Sequence, residues 1–288
     1  MPLVKSRFDD GGEMVVMAQK TLYVAFKGHQ VAVCSNIPEV IELIERSFSK
    51  MLESESTRIV GRLEVFTEGE KYHLVGNITA SEEYRSLGDI LDNIHKEVIY
   101  QLIQANPELL WLHAGAAAYQ DCAVVFPGAW GRGKSTIVTS LCENGWSYLS
   151  DDIVPIDLNS GKVIPFFRTP TIRKNSGQKM SLSSLEELQK LEIDLKQNRL
   201  CREPMPISGI IFPFYSHGSS ARLVPYSPAV ATLELLGSCM NYENHREGAV
   251  RQLCNLVKNL AVSRLYYSIG EQAAELIGSS THEKWYCV

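Results

Sequence analysis

The chain has 288 residues, enough for one large domain or two smaller ones with an ample core. Its hydrophobic content of 45% and charged content of 21% are those of an ordinary globular protein, and a net charge of -5 argues against nucleic acid as the main partner. No apolar run reaches the length of a membrane helix, so no membrane partner is expected.

Residues 1–12 read as a loose start without the apolar core of a signal peptide. Met14 to Ala18, Leu22 to Phe26 and Gln30 to Cys34 are short apolar stretches of strand length, with a turn at Lys27-Gly28-His29. Asn36 stands at an N-cap position and Pro38 in a first helical turn, followed by Val40, Ile41, Ile44, Phe48 and Leu52 at helical spacing. Ile59 to Phe66 and Tyr72 to Ile78 read as a hairpin. A helix is expected from about Gly88 to Ala105, with Ile90, Leu91, Ile94, Val98, Ile99, Leu102 and Ile103 on one stripe and Asn106-Pro107 as its stop. Residues 1–108 thus form a small α+β domain with no nameable chemistry. Substrate docking and assembly into a homo-oligomer are the roles open to it.

From residue 109 to 288 the pattern changes to strand–loop–helix units, the signature of an α/β domain. Leu112 to Tyr119 and Cys122 to Phe126 are expected strands, and Thr136 to Cys142 a helix ending at Asn144-Gly145. Trp146 to Ser150 is a further strand, ending in Asp151-Asp152. Residues 181–192 read as a capped surface helix and 194–205 as a polar loop. Ile207 to Phe214 reads as a buried strand with Ala221 to Pro225 as its hairpin partner. Ser227-Pro228 then starts a helix, Glu247 to Ala261 another, Arg264 to Ser268 a strand and Glu271 to Ile277 a last helix. The seven cysteines show no Cys-x-x-Cys and sit mostly among apolar neighbours. Reduced thiols and a cytoplasmic location follow as expectations.

The stretch Gly128-Ala129-Trp130-Gly131-Arg132-Gly133-Lys134-Ser135, followed by Thr136, fits the phosphate-loop pattern G-x-x-x-x-G-K-S/T without a mismatch. Its glycines let the backbone curl so that successive N–H groups face one anion, and the next helix adds its positive end. In this pattern Lys134 reaches the outer phosphates and the Ser135 hydroxyl binds Mg²⁺. Asp151-Asp152 lie one helix and one strand further on, where a strand end can approach the loop. One carboxylate can assist the metal; the second can take a proton from an attacking hydroxyl. His113, on the strand before the loop, can orient an aspartate or help move a proton. Arg132, Arg168 and Arg173 are candidates for stabilising charge on a transferring phosphoryl group. Trp130 can shield the loop or contact a base.

Leu112-His113-Ala114-Gly115, the phosphate loop, and Asn144-Gly145 through Asp151-Asp152 together resemble the catalytic domain of HPr kinase/phosphorylase and its related bacterial kinases. Pro165 to Lys174 and Ala221 to Pro228 carry a weaker likeness. The resemblance implies a P-loop kinase domain of the HPr kinase/phosphoenolpyruvate carboxykinase type, a mixed sheet flanked by helices. It implies ATP with Mg²⁺ and transfer of the γ-phosphoryl group to a serine hydroxyl. It also implies Asp151 as proton acceptor, His113 in support, and Ser135 and Asp152 near the metal, with the two aspartates open to exchange. No Glu-x-Arg-Gly stretch follows the aspartates, a departure from the bifunctional enzyme that counts against HPr as the substrate and against phosphorylase activity.

The leading expectation is therefore an ATP-dependent kinase acting on a hydroxyl of a peptide, small protein or small molecule. A nucleotide switch or ATPase with water as the only acceptor is the alternative. A non-catalytic scaffold that keeps the loop for stability is a third reading. ATP and GTP are not separated by the sequence.

Overall fold

The computed structural model describes residues 19–56, 58–76, 82–129, 131–170 and 200–284. The expected strand at Met14–Ala18, the helix at 181–192, the first half of the loop at 194–205, Trp130 and Arg173 lie outside them. By internal contacts the chain divides into two units, Met1–Glu45 with Leu52–Leu102, and Arg46–Met51 with Ile103–Val288.

The first unit is built on a six-stranded sheet. Strands β1 (Lys20–Phe26) and β2 (His29–Ser35) form a hairpin around Lys27 and Gly28, both at positive φ. Two successive left-handed residues give the turn whose twist matches that of the flanking strands. Helix α1 (Pro38–Ser47) and short strand β3 (Leu52–Glu53) follow, so β4 (Ile59–Glu68) returns parallel to β2. Strands β5 (Lys71–Val75) and β6 (Glu82–Tyr84) complete the order β3-β1-β2-β4-β5-β6. Helix α2 (Leu87–Ala105) buries the stripe from Ile90 to Ile103 expected from its spacing. It lies so close to the sheet that a Cβ on Gly61 would fall 1.4 Å from the Gln101 Oε1. A glycine at that point of β4 leaves room for the buried Gln101 side chain.

The second unit holds a nine-stranded mixed sheet. Its strands are β7 (Leu109–Leu112), β8 (Ala114–Tyr119), β9 (Cys122–Pro127), β10 (Ser147–Ser150), β11 (Val154–Asp157), β12 (Lys162–Val163), β13 (Met205–Tyr215), β14 (Arg222–Pro225) and β15 (Ala261–Tyr267). β8 runs antiparallel to both β9 and β10, whereas β9, β13 and β15 run parallel. Helices α3 (Lys134–Glu143) and α7 (Gly270–Lys284) cover one face, over Val124, Phe126, Ile211 and Leu265. Helices α4 (Pro228–Gly237) and α6 (Glu247–Asn259) cover the other, over Val125, Ile210 and Phe212. The alternation Val124/Val125 and Ile210/Ile211 is that of strands buried on both faces. A one-turn helix α5 (Tyr242–His245), not expected from the sequence, links α4 to α6. The architecture is thus mixed α/β, with sheets flanked by helices. Among the described residues no helix is long and apolar enough to cross a membrane.

Three expectations are corrected. The strand read over Leu112 to Tyr119 breaks at His113: β7 pairs with β11, while β8 pairs with β9 and β10. His113 sits where the chain changes partners. β14 pairs with β15 and not with β13, because β15 takes the edge of β13 in parallel from Gly209 to Tyr215. Finally, Cys122 is disulfide-bonded, against the expectation of reduced thiols, while Cys34, Cys142, Cys201, Cys239 and Cys254 are free. Cys122 opens β9 at a half-buried position, outside the apolar interior that shields a thiol.

Candidate phosphate-binding site

The loop between β9 and α3 carries the motif glycines. Gly131 (φ 83°) and Gly133 (φ 87°) are left-handed, a conformation glycine adopts without steric cost. Gly133 is the N-cap of α3, so Lys134 and Ser135 open the helix and the loop N–H groups precede its positive end. Tyr267 of β15 is packed against this junction: its hydroxyl donates towards the carbonyls of Gly133 (3.2 Å) and Arg132 (3.4 Å). A Cβ on Gly133 would lie 1.7 Å from that hydroxyl oxygen. Gly133→Ala should therefore cost on the order of 1–3 kcal/mol of stability in chemical denaturation, from clash and strained φ together. Adding Tyr267→Phe should recover part of the loss.

Lys134 is 5% exposed and its ammonium is directed inward. It donates to the carbonyls of Gly128 (2.8 Å) and Ala129 (3.2 Å) and to His113 Nε2 (3.0 Å). An ammonium only donates, so Nε2 is the accepting nitrogen and Nδ1 carries the proton. That Nδ1–H donates to the Asp152 carbonyl at 2.9 Å, with Asp152 Oδ1 at 3.3 Å. Burial, then the Lys134 charge, push the His113 imidazole below its ordinary range, consistent with this neutral tautomer.

The two aspartates leave β10 in opposite environments. Asp152 adopts φ 70°, a backbone conformation that a short polar side chain tolerates better than most. Its Oδ2 accepts from Arg168 Nη1 at 2.6 Å. Burial opposes its ionisation, but Arg168 and then His113 overcome that and hold Asp152 below the usual carboxylate range. Asp151 is 2% exposed, and its Oδ1 has no hydrogen-bond partner. Burial, then the Asp152 charge, raise it to about 6, against a hydrogen bond from Ser135 and the charges of Arg168 and Lys134. The absence of a side chain at Gly115 on β8 makes room for Val138 of α3: a Cβ would lie 2.7 Å from its methyl carbon, and in ordinary contact, 3.6 Å, with Asp151 Oδ1.

The structure thus brings together His113, Lys134, Ser135, Asp151, Asp152 and Arg168 at one end of β8 and β10. Ala129 contributes its carbonyl. Arg132 is exposed and turned away, with its guanidinium 5.1 Å from the centre of the Phe214 ring. Thr136 is exposed on the first turn of α3, facing Gly270 at the start of α7. Gly115 was quoted in the sequence only as part of the Leu112–Gly115 stretch, with no role, and Tyr267 was missed because it belongs to no motif. The alternation of β15 marked Tyr267 at most as a buried position.

Ser135 and two adjacent carboxylates suit Mg²⁺, which takes one or two carboxylates and draws its other ligands from water and phosphate. The unpartnered Asp151 oxygen fits the same need. Among the described residues no group of three or more His, Cys, Asp or Glu is placed to hold a metal. No family model matches the chain, and no curated protein matches it.

Proposed function

We propose that the chain is an ATP-dependent kinase of the HPr kinase/phosphoenolpyruvate carboxykinase type, transferring the γ-phosphoryl group to a hydroxyl of a peptide, small protein or small molecule. The observation that carries this reading is the meeting of Lys134 with an unequal pair of carboxylates. Phosphoryl transfer asks a protein mainly for positioning and for charge at the phosphates, plus a base for the incoming hydroxyl. Lys134 and the loop N–H groups supply the first. Asp151, raised to about 6 with a free oxygen, has the basicity suited to the second near neutral pH. Asp152, fixed by Arg168 and His113, keeps a negative charge beside it. Mg²⁺, held by Ser135 and Asp152 when bound, would neutralise charge on the phosphate oxygens.

The Ser135–Asp151 hydrogen bond favours the opposite division, with Asp151 on the metal side. A Mg²⁺ titration of turnover separates the two. With Asp151 as base, Asp152→Asn raises the Mg²⁺ requirement and high Mg²⁺ restores activity, whereas Asp151→Asn stays inactive at any Mg²⁺. The opposite pattern assigns the roles the other way.

The kinase reading itself is tested with γ-labelled ATP and a panel of serine-containing peptides and small alcohols. Label in an acceptor is expected. Label only in free phosphate would instead make the chain an ATPase or switch.

A further inference from the structure

On the sheet face away from α3, alternate residues of β13, β14 and β15 form a strip of rings and guanidinium groups. Phe214 pairs in register with Tyr266, their rings 5.4 Å apart, and Arg222 pairs with Tyr266 from the other side. Arg222 lies over the Tyr266 ring at 4.8 Å, and Arg132, from the phosphate loop, over Phe214 at 5.1 Å. Arg264 beside them lies 4.1 Å from the Tyr226 ring centre and is ion-paired with Glu234 of α4. Its charge is therefore matched within the protein. Arg132 and Arg222 are both exposed, and the contacts of their guanidinium groups are with rings.

We propose that this strip is a docking surface for an acidic polypeptide segment, whose carboxylates bind Arg132 and Arg222. Three observations favour that partner. The guanidinium groups already cover the ring faces, so stacking by a base is blocked while the N–H edges stay free for carboxylates. The rings hold both side chains in place, which lowers the entropy lost on binding. The chain carries a net charge of -5, so repulsion beyond the local basic strip disfavours a long polyanion such as nucleic acid more than a short acidic segment. Because Arg132 belongs to the phosphate loop, the strip runs up to the site. The role of the bound segment as a carrier of the accepting hydroxyl rests on the kinase reading; the docking itself does not.

Fluorescence anisotropy with a fluorescein-labelled hexaglutamate peptide, in the absence of nucleotide, tests it. Saturable binding at low salt is expected, lost at high salt. Arg222→Gln should weaken it about threefold to fivefold, the upper range for one exposed ion pair, and Arg132→Gln/Arg222→Gln further. Lys258→Gln, in the last turn of α6 ahead of β15, should leave binding unchanged. No saturable binding, equal loss in Lys258→Gln, or tighter binding of oligothymidylate than of hexaglutamate would overturn the proposal. Since no phosphoryl transfer is measured, failure here leaves the kinase reading intact, and failure of the kinase reading leaves this binding intact.

Discussion

Lys134→Ala should reduce phosphoryl transfer by about 10²–10³-fold or more, the scale of losing one preorganised charge at a reacting centre. It should also remove the rise in melting temperature that the kinase reading expects of the wild-type protein in saturating Mg-ATP. Lys134 donates to Gly128, Ala129 and His113, whereas Arg168, the other cation at the site, is engaged by Asp152. The same substitution has a readout independent of catalysis. The Lys134 charge is the second cause, after burial, that lowers the His113 pKa. Its removal should move the His113 titration up towards the ordinary histidine range in NMR. An unmoved His113 would mean that the Lys134–His113 contact does not exist in solution.

Asp151→Asn should produce two effects of opposite sign. Turnover should fall about 10²–10⁴-fold, as expected when a positioned base is lost. Stability at pH 7.5 should rise. The sign follows from linkage: with Asp151 at about 6 in the fold and 3.8 unfolded, the native state holds the extra proton between those values. Stability is therefore lost as pH rises from near 4 through 6, and the full penalty persists above. Ionising a carboxyl held that far above its unfolded value costs roughly 3 kcal/mol, the upper limit of the gain from a neutral amide. A pH series of melting temperatures should show wild type and variant converging below pH 4 and separating above 6. Equal curves at all pH values would show that Asp151 is not held at this cost.

Much of the site was legible because its parts are local. The phosphate loop specifies its own turn through Gly131 and Gly133, and the apolar periods on either side mark strand and helix. The stripe of α2 was legible for the same reason, since seven residues repeat its period. The pairing of β14 was not, because two short strands near each other in sequence suggest a hairpin and nothing local announces β15 arriving between them. The break at His113 was hidden by an unbroken run of small and apolar residues. The contrast between Asp151 and Asp152 was also invisible: two identical neighbours differ through Arg168, His113, Ser135 and burial, none of which is coded at their positions.

The tyrosine wedged under the loop has a consequence for how the cradle comes into being. Its hydroxyl meets a backbone carbonyl 134 residues earlier in the chain. Contacts of such separation form late, after the intervening sheet has closed. A fragment ending after β10 would contain every motif residue from Gly128 to Asp152 and still lack the brace that shapes them. Competence for nucleotide should therefore emerge during refolding only once β15 has docked, as a final event and not a nucleating one.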